Sequence, residues 1–351
     1  MYWKFAVRRI LYAVMILAIT VFIFSALFST VAEQVLRGQI TEQVNAEMVV
    51  LARQRASLDP NAMGAYKELR TRQLIQRNSL DQPMTVRIAR STWQALTLRL
   101  GNSTQIKSSA GETDVMAIIA ERIPRTLLLF GVVAAIDIVA GVWLGMRKAR
   151  KAGKLMDRST DIATMIVFGL PTWWLGMLVI MLFAFAIPIF PSGAMHSSPP
   201  PASSLGYFLD LLYHLVLPVF TLVFLGFWGR AYITRNIVLS TLQEDFIMSA
   251  RARGLSERRI LFGHTLRAAA PPIVTMSLLA LLGSVGGALI FEGIFSWPGL
   301  GNLYWVAVQQ NDIPVLMGNL TVTTALYIGG LAFLDLIYGF LDPRVKVGGK
   351  A

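Results

Sequence analysis

The sequence lacks cysteine and is poor in charge. None of its 351 residues is cysteine, so a disulfide framework and thiol chemistry are excluded. Only 15% of the residues are charged, whereas 55% are hydrophobic, and the mean hydropathy is +0.57. Several uncharged apolar runs are long enough to cross a bilayer, which excludes a chain of soluble domains.

Signatures of enzymatic chemistry are also missing. No G-x-x-x-x-G-K-[ST] phosphate-binding loop occurs, so the chain is not expected to hydrolyse ATP itself. No Ser/His/Asp or paired-carboxylate constellation falls in a plausible pocket. The histidines His196, His214 and His264 lie apart along the chain, and none has a second ligand nearby in sequence. We therefore predict a protein that is not an enzyme, with no catalytic residue and no metal or cofactor of its own.

Six membrane spans are predicted, at residues 10–28, 126–146, 162–185, 211–228, 273–291 and 315–341. The segment before the first span, the second and fourth connections and the segment after the last span are basic, and we assign Arg230 and Arg235 to the fourth connection. The third and fifth connections contain no Lys or Arg. Because short cytoplasmic loops are the basic ones, both termini are predicted to be cytoplasmic, and the net charge of +12 needs no nucleic-acid partner.

The sequence divides into four parts by composition. Residues 1–31 hold the N-terminal end and the first span, which is longer than a secretory signal core and is interpreted as a retained anchor. Residues 32–121 are polar and follow that span, so we expect a mainly helical extracytoplasmic domain, with a flexible tether as the alternative. Residues 122–344 form a five-helix core, and residues 345–351 form a cytoplasmic tail.

The stretch DFIMSARARGLSERRILFGHTLRAA, residues 245–269, carries five arginines between two apolar runs. We call it the elbow. Its first part has helical spacing, and Gly254 can adopt the left-handed conformation that ends a helix. Ser256 suits the N-cap of a second helix, predicted to end near Ala269 before Pro271 and Pro272. Small residues such as Ala250 would let another protein approach closely.

The elbow resembles the cytoplasmic coupling loop of ABC-importer permeases. Its segments ARARGLSER and HTLRAA are similar to ARAKGLSER and H-x-L-R-N-A of the dipeptide/oligopeptide/nickel permeases, with Arg253 for Lys and Ala268 for Asn. FSWPGLG at residues 295–301 is a second match. The resemblance implies an all-α membrane protein with the six transmembrane helices of the type I ABC importer permease fold and a helical extracytoplasmic insertion after the first span.

The resemblance also implies that residues 240–270 couple the chain to an ATPase. The residues assigned to this contact are Asp245, Ala250, Arg251, Arg253, Gly254, Leu255, Ser256 and Arg259. A basic amphipathic loop that binds lipid headgroups is the alternative.

Unusual side chains in or near the spans indicate a translocation path or gate. An acid is costly in lipid and should face protein or a water-filled cavity. The residues assigned to the path or gate are Asp137, Trp173, Trp174, Glu292 and Trp297. Ordinary packing is the alternative for the tryptophan pair, and a structural hydrogen bond suits Asp335 as well as a transport role does.

The function implied is the permease subunit of an ATP-driven importer in the inner (plasma) membrane of a prokaryote. The implied partners are a second, related permease chain, two cytoplasmic ABC ATPases that hold ATP and Mg, an extracytoplasmic substrate-binding protein and membrane lipid. Peptides lead as the substrate class, and relatives carry nickel chelates and oligosaccharides. Two other classes stay open: an ion-coupled secondary carrier with Asp137 and Asp335 as a relay, and a membrane sensor with residues 32–121 as its ligand domain.

Overall fold

The computed structural model describes residues 2–54, 60–284 and 289–341, and its regular elements there are helices. They are α1 Tyr2–Gln54, α2 Pro60–Arg77, α3 Met84–Leu96, α4 Val115–Arg150, α5 Leu155–Phe168, α6 Thr172–Ile180, α7 Ser204–Thr241, α8 Asp245–Ala252, α9 Glu257–Arg259, α10 Leu266–Ser284, α11 Leu289–Ile294, α12 Leu300–Gln309 and α13 Ile313–Leu341. A π-helical segment, Met181–Ala186, follows α6, and another, Ile260–Thr265, joins α9 to α10. The predicted all-α class is confirmed.

Four helices, α1, α4, α7 and α13, are long and apolar enough to span a membrane within the described residues. The helices α5 and α6 together pass the same test, but they meet at an angle of 93°. Pro171 is the N-cap of α6, and its missing N–H and fixed φ account for the break in the predicted third span. The predicted fifth span falls on α10 and α11, and residues 285–288 between them lie outside the described residues, as does the predicted tail at 345–351.

Two helices are longer than the sequence patterns predict. Helix α1 continues without a break to Gln54, so the polar segment from residue 32 begins as an extension of the first span. Helix α7 continues to Thr241, so the assignment of Arg230 and Arg235 to a connection is wrong. Both arginines lie on α7, where each can reach a partner on a neighbouring helix.

One compact unit contains the residues up to Ile119 and those from Val306 onward. Its helices α1 and α2 bury Ile40, Val44, Leu74 and Leu80 against each other. Arg70 Nε donates to Glu47 Oε2 at 2.9 Å across the same contact. These polar residues are helical, as predicted, whereas their placement outside the membrane stays a prediction.

A buried carboxylate organises another part of this unit. Asp312 is 0% exposed, and its Oδ2 accepts hydrogen bonds from Ser103 Oγ at 2.6 Å and from the backbone N–H groups of Gln105 at 2.9 Å and Thr104 at 3.1 Å. Its Oδ1 lies 3.3 Å from the N–H of Val315 in the first turn of α13. Asp312 therefore ties the segment after α3 to the start of α13. Elsewhere in the unit Arg9 forms an ion pair with Asp335, which gives that acid a structural partner.

The other compact unit contains residues 120–305. One of its apolar clusters buries Leu129, Phe130, Val179, Leu215, Leu217, Val219, Phe291, Phe295 and Trp297, which come from α4, α6, α7, α11 and the turn after α11. The elbow and all five predicted path residues belong to this unit.

Candidate functional site

The first arm of the elbow ends in a left-handed turn at Gly254. Gly254 has φ +78°, a conformation that costs a residue with a β-carbon about 1 kcal/mol. Its N–H donates to the carbonyl of Arg251 at 2.9 Å, and the N–H of Leu255 donates to the carbonyl of Ala250 at 3.3 Å. This pair of bonds is the Schellman motif, which closes a helix C-terminus and reverses the chain. The predicted helix end at Gly254 is confirmed.

The second arm begins where predicted and ends much later. Ser256 occupies the N-cap position in extended conformation, although its hydroxyl makes no capping bond. The chain then stays helical through α9, the π segment and α10 to Ser284, so the predicted end near Ala269 is wrong. Pro271 and Pro272 lie inside α10. Burial of Ala269 and Ile273 in an apolar cluster stabilises the helix across the two missing N–H groups.

The elbow has a small core of its own. Ile247, Ala250 and Ile260 are each 0% exposed, and Leu242 and Leu255 pack against them. Ala250 therefore lies inside the elbow and not on the surface that the sequence pattern assigned to a partner. Its small size lets the two arms approach each other, because a larger side chain would separate Ile247 from Ile260.

The outer surface of the elbow mixes cations with apolar groups. Arg251, Arg253, Arg259, Asp245 and Ser256 are exposed. Arg251 Nε donates to Glu257 Oε1 at 2.9 Å, which links the two arms by an exposed ion pair of small energetic value. Met248 and Phe262 are also exposed, by 61% and 52%. Exposed apolar side chains surrounded by charge are typical of a surface that binds another protein.

The elbow is joined to the membrane helices through apolar contacts. Leu261 is buried in a cluster with Met146 and Ala149 of α4, Val238 of α7, and Ala269 and Ile273 of α10. A displacement of the elbow therefore acts directly on the ends of three long helices. Side chains that pack to interior density transmit strain instead of absorbing it.

A buried ion pair joins α4 to α7 farther along these helices. Asp137 is 6% exposed, and its Oδ2 accepts a hydrogen bond from Arg230 Nε at 2.6 Å. Arg230 Nη1 donates to Ser277 Oγ on α10 at 3.1 Å. Asp137 was predicted from its sequence, but its partner was missed because Arg230 was counted as a loop residue. A cavity with room for a ligand lies beside the pair. The assignment of Asp137 to the path stays a prediction.

Two more ion pairs connect α5 to its neighbours. Arg235 on α7 donates to both carboxylate oxygens of Asp157, at 2.9 and 2.6 Å. Lys148 on α4 is 0% exposed and lies 2.7 Å from Asp161. Basic residues that the sequence pattern explains by membrane orientation thus also hold α4, α5 and α7 together.

Glu292 binds the N-terminus of α12. It is 0% exposed, and its Oε2 accepts hydrogen bonds from the N–H groups of Gly301 at 2.8 Å and Asn302 at 3.1 Å. Thr126 Oγ1 donates to Glu292 Oε1 at 3.2 Å and accepts from the N–H of Leu300 at 2.8 Å. The first three N–H groups of α12 are thereby satisfied, and the carboxylate complements the positive end of the helix. This geometry favours a positioning role for Glu292 over direct contact with a substrate.

The family-like FSWPGLG segment has a steric explanation at the same place. A β-carbon on Gly299 would lie 2.4 Å from both Glu292 Oε2 and Thr126 Oγ1, so only glycine fits. Trp297 is 0% exposed, and its indole N–H donates to the carbonyl of Arg125 at 3.0 Å. Trp297 therefore anchors this turn in the apolar cluster.

Residues 137–347 match the family model described as the binding-protein-dependent transport system inner membrane component. The chain belongs to this family. It is a permease subunit of an ABC importer, and its elbow lies within the matched region.

Two curated relatives extend the match beyond that region. The permease is 30% identical over 289 residues to the oligopeptide transport system permease protein AppB of Bacillus subtilis, which covers 82% of this chain and 88% of AppB. It is 31% identical over 294 residues to the dipeptide transport system permease protein DppB of Escherichia coli, which covers 78% of this chain and 84% of DppB. A solved structure of the methionine ABC transporter MetNI in inward-facing conformations matches 63% of this chain and 95% of that chain, with 16% identity and a TM-score of 0.49.

The predicted tryptophan pair lies at the surface of the permease. Trp173 and Trp174 lie in the first turn of α6, just after the 93° bend, and each is 42% exposed. Either lipid or a neighbouring protein surface can cover rings in this position. Their assignment to the path stays a prediction.

The histidines of the permease are not as isolated as the sequence implied. His196 Nδ1 lies 3.0 Å from Asp210 Oδ2, and His214 Nδ1 lies 3.5 Å from Asp210 Oδ1. Ser197 Oγ donates to the same carboxylate at 2.6 Å. In the part of the chain that the structure describes, no group of three or more His, Cys, Asp or Glu side chains is arranged to hold a metal ion.

Proposed function

We propose that the elbow is the surface through which this permease binds a cytoplasmic ATPase subunit and receives its motion. The single observation that carries the proposal is the Schellman turn at Gly254, which exposes a cationic and apolar surface. The elbow that carries this surface packs against the ends of α4, α7 and α10. Contact residues on this surface are Asp245, Arg251, Arg253, Gly254, Leu255, Ser256 and Arg259. Ala250 supports them from inside.

The assembly we propose has two permease chains, two ATPases that bind ATP and Mg, and an extracytoplasmic binding protein that delivers the solute. The second permease is a related, distinct chain. Both termini of this chain are cytoplasmic, and residues 32–121 form the extracytoplasmic domain. The names of AppB and DppB support peptides as the substrate class.

Closure of the ATPases on ATP would displace the elbow. Since α9, the π segment and α10 follow one another without a non-helical break, that displacement passes into α10. The contacts of Leu261 with Met146 and Val238 carry it into α4 and α7 at the same time. Helices α4, α7 and α10 move together, and the translocation cavity between the two permease chains opens alternately to each side of the membrane.

The experiment replaces Gly254 by Asp in the assembled complex. No atom lies within 4 Å of a β-carbon built on Gly254, so the variant chain folds and inserts with only the conformational cost of the left-handed turn. In a tight contact the new carboxylate would be buried without a partner, which costs several kcal/mol. We expect Gly254→Asp to lose the ATPase subunits on purification and to lose substrate-stimulated ATP hydrolysis.

Gly254→Ala is the matched control, because it carries the conformational cost without the charge. It should keep most of the bound ATPase and most of the coupled hydrolysis. A Gly254→Asp complex that retained both ATPases and full coupled hydrolysis would refute the docking assignment. If Gly254→Asp lowered binding to anionic vesicles but left ATPase binding unchanged, that result would indicate a lipid-binding loop instead.

A further inference from the structure

A cavity of about 270 Å³ lies in the unit that contains α1, α2, α3 and α13. Its volume is below the roughly 300–1,000 Å³ of pockets that enclose a drug-sized ligand, so it suits a small group. The lining is rich in guanidinium and hydroxyl groups. Its polar residues on α1, α2 and α3 include Ser25, Ser29, Glu33, Arg77, Arg87 and Arg90.

Positive charge exceeds negative charge in this lining. Arg87 Nη2 donates to Glu33 Oε2 at 2.5 Å, and Arg37 Nε donates to Glu33 Oε1 at 2.9 Å, so this carboxylate is already shared by two arginines. Arg77 and Arg90 are exposed, and neither has a carboxylate partner among the described residues. Since both side chains are open to solvent, an anion that enters the cavity can reach their N–H groups. Planar guanidinium groups bind phosphate oxygens in pairs, which favours a phosphate group as that anion.

The cavity begins where the apolar run of α1 ends. Ser25 and Ser29 line it, and Phe22, one turn before Ser25 on the same helix face, is 53% exposed. Glu33 follows the end of the predicted span at residue 28 by about 7.5 Å along the helix, at 1.5 Å per residue. The interfacial layer on each side of the hydrocarbon core is about 5–8 Å thick. Arg87, which binds Glu33, therefore lies at the depth of lipid phosphate groups.

We infer that this cavity binds the headgroup of an anionic phospholipid, with its phosphate among Arg77, Arg87 and Arg90. The acyl chains stay outside the cavity, along the apolar surface of α1 that includes Phe22. A headgroup without a cation, such as that of phosphatidylglycerol, suits the excess of positive charge, whereas the quaternary ammonium of phosphatidylcholine opposes it. Basic pockets between membrane helices bind such headgroups. The inference does not depend on the proposed ATPase contact, which lies in the other compact unit.

The test uses single cysteines in this cysteine-free chain, within the complete complex in nanodiscs. Ser29→Cys places a thiol in the cavity lining, and Thr30→Cys places one at the same depth on α1, exposed and outside the lining. Each is modified with methyl methanethiosulfonate, which is uncharged and therefore insensitive to the surface charge of the membrane. The rate is read on this chain by mass spectrometry, and the rate at Ser29→Cys is divided by the rate at Thr30→Cys.

We expect replacement of phosphatidylcholine by phosphatidylglycerol to lower this ratio by roughly tenfold, because a hydrogen bond to a charged group is worth about that factor. The double change Arg77→Gln and Arg90→Gln should restore the ratio measured in phosphatidylcholine. The double change Arg77→Lys and Arg90→Lys keeps the charge and should keep most of the protection. Lys67→Gln with Lys107→Gln is the matched control, because these exposed cations of the same unit lie outside the lining. It should keep full protection.

Equal ratios in the two lipids would overturn the inference. Loss of protection in the Lys67 and Lys107 variant as complete as in the Arg77→Gln and Arg90→Gln variant would also overturn it, since the effect would then reflect general surface charge. Millimolar inorganic phosphate in phosphatidylcholine nanodiscs should protect little, because it has no acyl chains, and protection equal to that by phosphatidylglycerol would assign the cavity to a free anion. Slow modification of Ser29→Cys in both lipids would show that a partner chain covers the cavity.

Discussion

The backbone N–H of Leu255 lies 3.3 Å from the carbonyl oxygen of Ala250, and this hydrogen bond closes the turn around Gly254. The side chains of the same two residues pack in the core of the elbow. Local backbone geometry and apolar packing thus support the same conformation. The turn is therefore formed by contacts within the elbow and needs no bound partner.

The first prediction isolates the conformational cost of that turn. Gly254→Ala should destabilise the purified permease by about 1 kcal/mol, because φ is +78° and nothing lies within 4 Å of the new β-carbon. Gly254→Asn should cost less, since Asn tolerates the left-handed region. Thermal denaturation, monitored by size-exclusion chromatography, should show that stability falls in the order Gly, Asn, Ala at position 254.

Gly263→Ala is the control for this series. It lies in the helical second arm, where a β-carbon meets only ordinary contact at 3.9 Å, and alanine favours helix over glycine by about 1 kcal/mol. It should be neutral or stabilising. Equal stability of Gly254→Ala and the unmodified chain would mean that residue 254 is not left-handed in the purified protein.

The second prediction concerns Glu292. Glu292→Ala should lower the free energy of unfolding by about 1–3 kcal/mol or more, because it leaves the N–H groups of Gly301 and Asn302 buried without an acceptor. Glu292→Gln should be milder, since its amide oxygen still accepts. The yield and melting temperature of the solubilised protein measure the effect.

Glu244→Ala serves for comparison, because Glu244 is exposed and should change stability by less than about 0.5 kcal/mol. Normal stability of Glu292→Ala with altered transport would instead restore Glu292 to the translocation path.

The third prediction concerns the segment held by Asp312. Asp312→Asn converts an acceptor of several hydrogen bonds into a weaker, uncharged one, so the residues 103–106 should loosen. Trypsin should then cut faster after the exposed Lys107, while cleavage after Lys67 on α2 stays unchanged. Ser103→Ala removes a single donor and should have the smaller effect. Equal cleavage rates at Lys107 in all three proteins would show that other contacts hold the segment.

The fourth prediction tests membrane orientation. Ser198→Cys and Gln310→Cys should react with an impermeant thiol reagent added to intact cells, and Ser256→Cys should react only after the membrane is opened. All three positions are exposed in the structure, so burial cannot explain a difference. Labelling of Ser256→Cys in intact cells would reverse the proposed topology.

The features that could be predicted from sequence are those with short-range causes. Gly254 is left-handed because glycine alone has no steric penalty there. Apolar run length likewise identifies α4, α7 and α13 as membrane helices. None of these inferences needs to know which residues meet in space.

The features that were missed depend on partners far apart in the chain. Arg230 lies 93 residues from Asp137, and Asp312 lies 209 residues from Ser103, so neither pair has a local signal. Ala250 was assigned to the surface because small residues suit an interface, whereas the same smallness suits the interior between two close helices. Periodicity identifies an apolar face but not the protein part that covers it.

The π segment Ile260–Thr265 sets the rotational phase between the first part of the elbow, α8 and α9, and α10. A π turn is an α-helix with one additional residue, and one residue corresponds to a rotation of about 100° around the helix axis. Deleting one residue there would leave composition and apolar content almost unchanged. It would nevertheless turn Arg251, Arg253 and Arg259 by more than a quarter of a circle relative to Ser277 on α10. The alignment of the two faces is therefore encoded by residue count, and an indel at this place would uncouple them more surely than most substitutions.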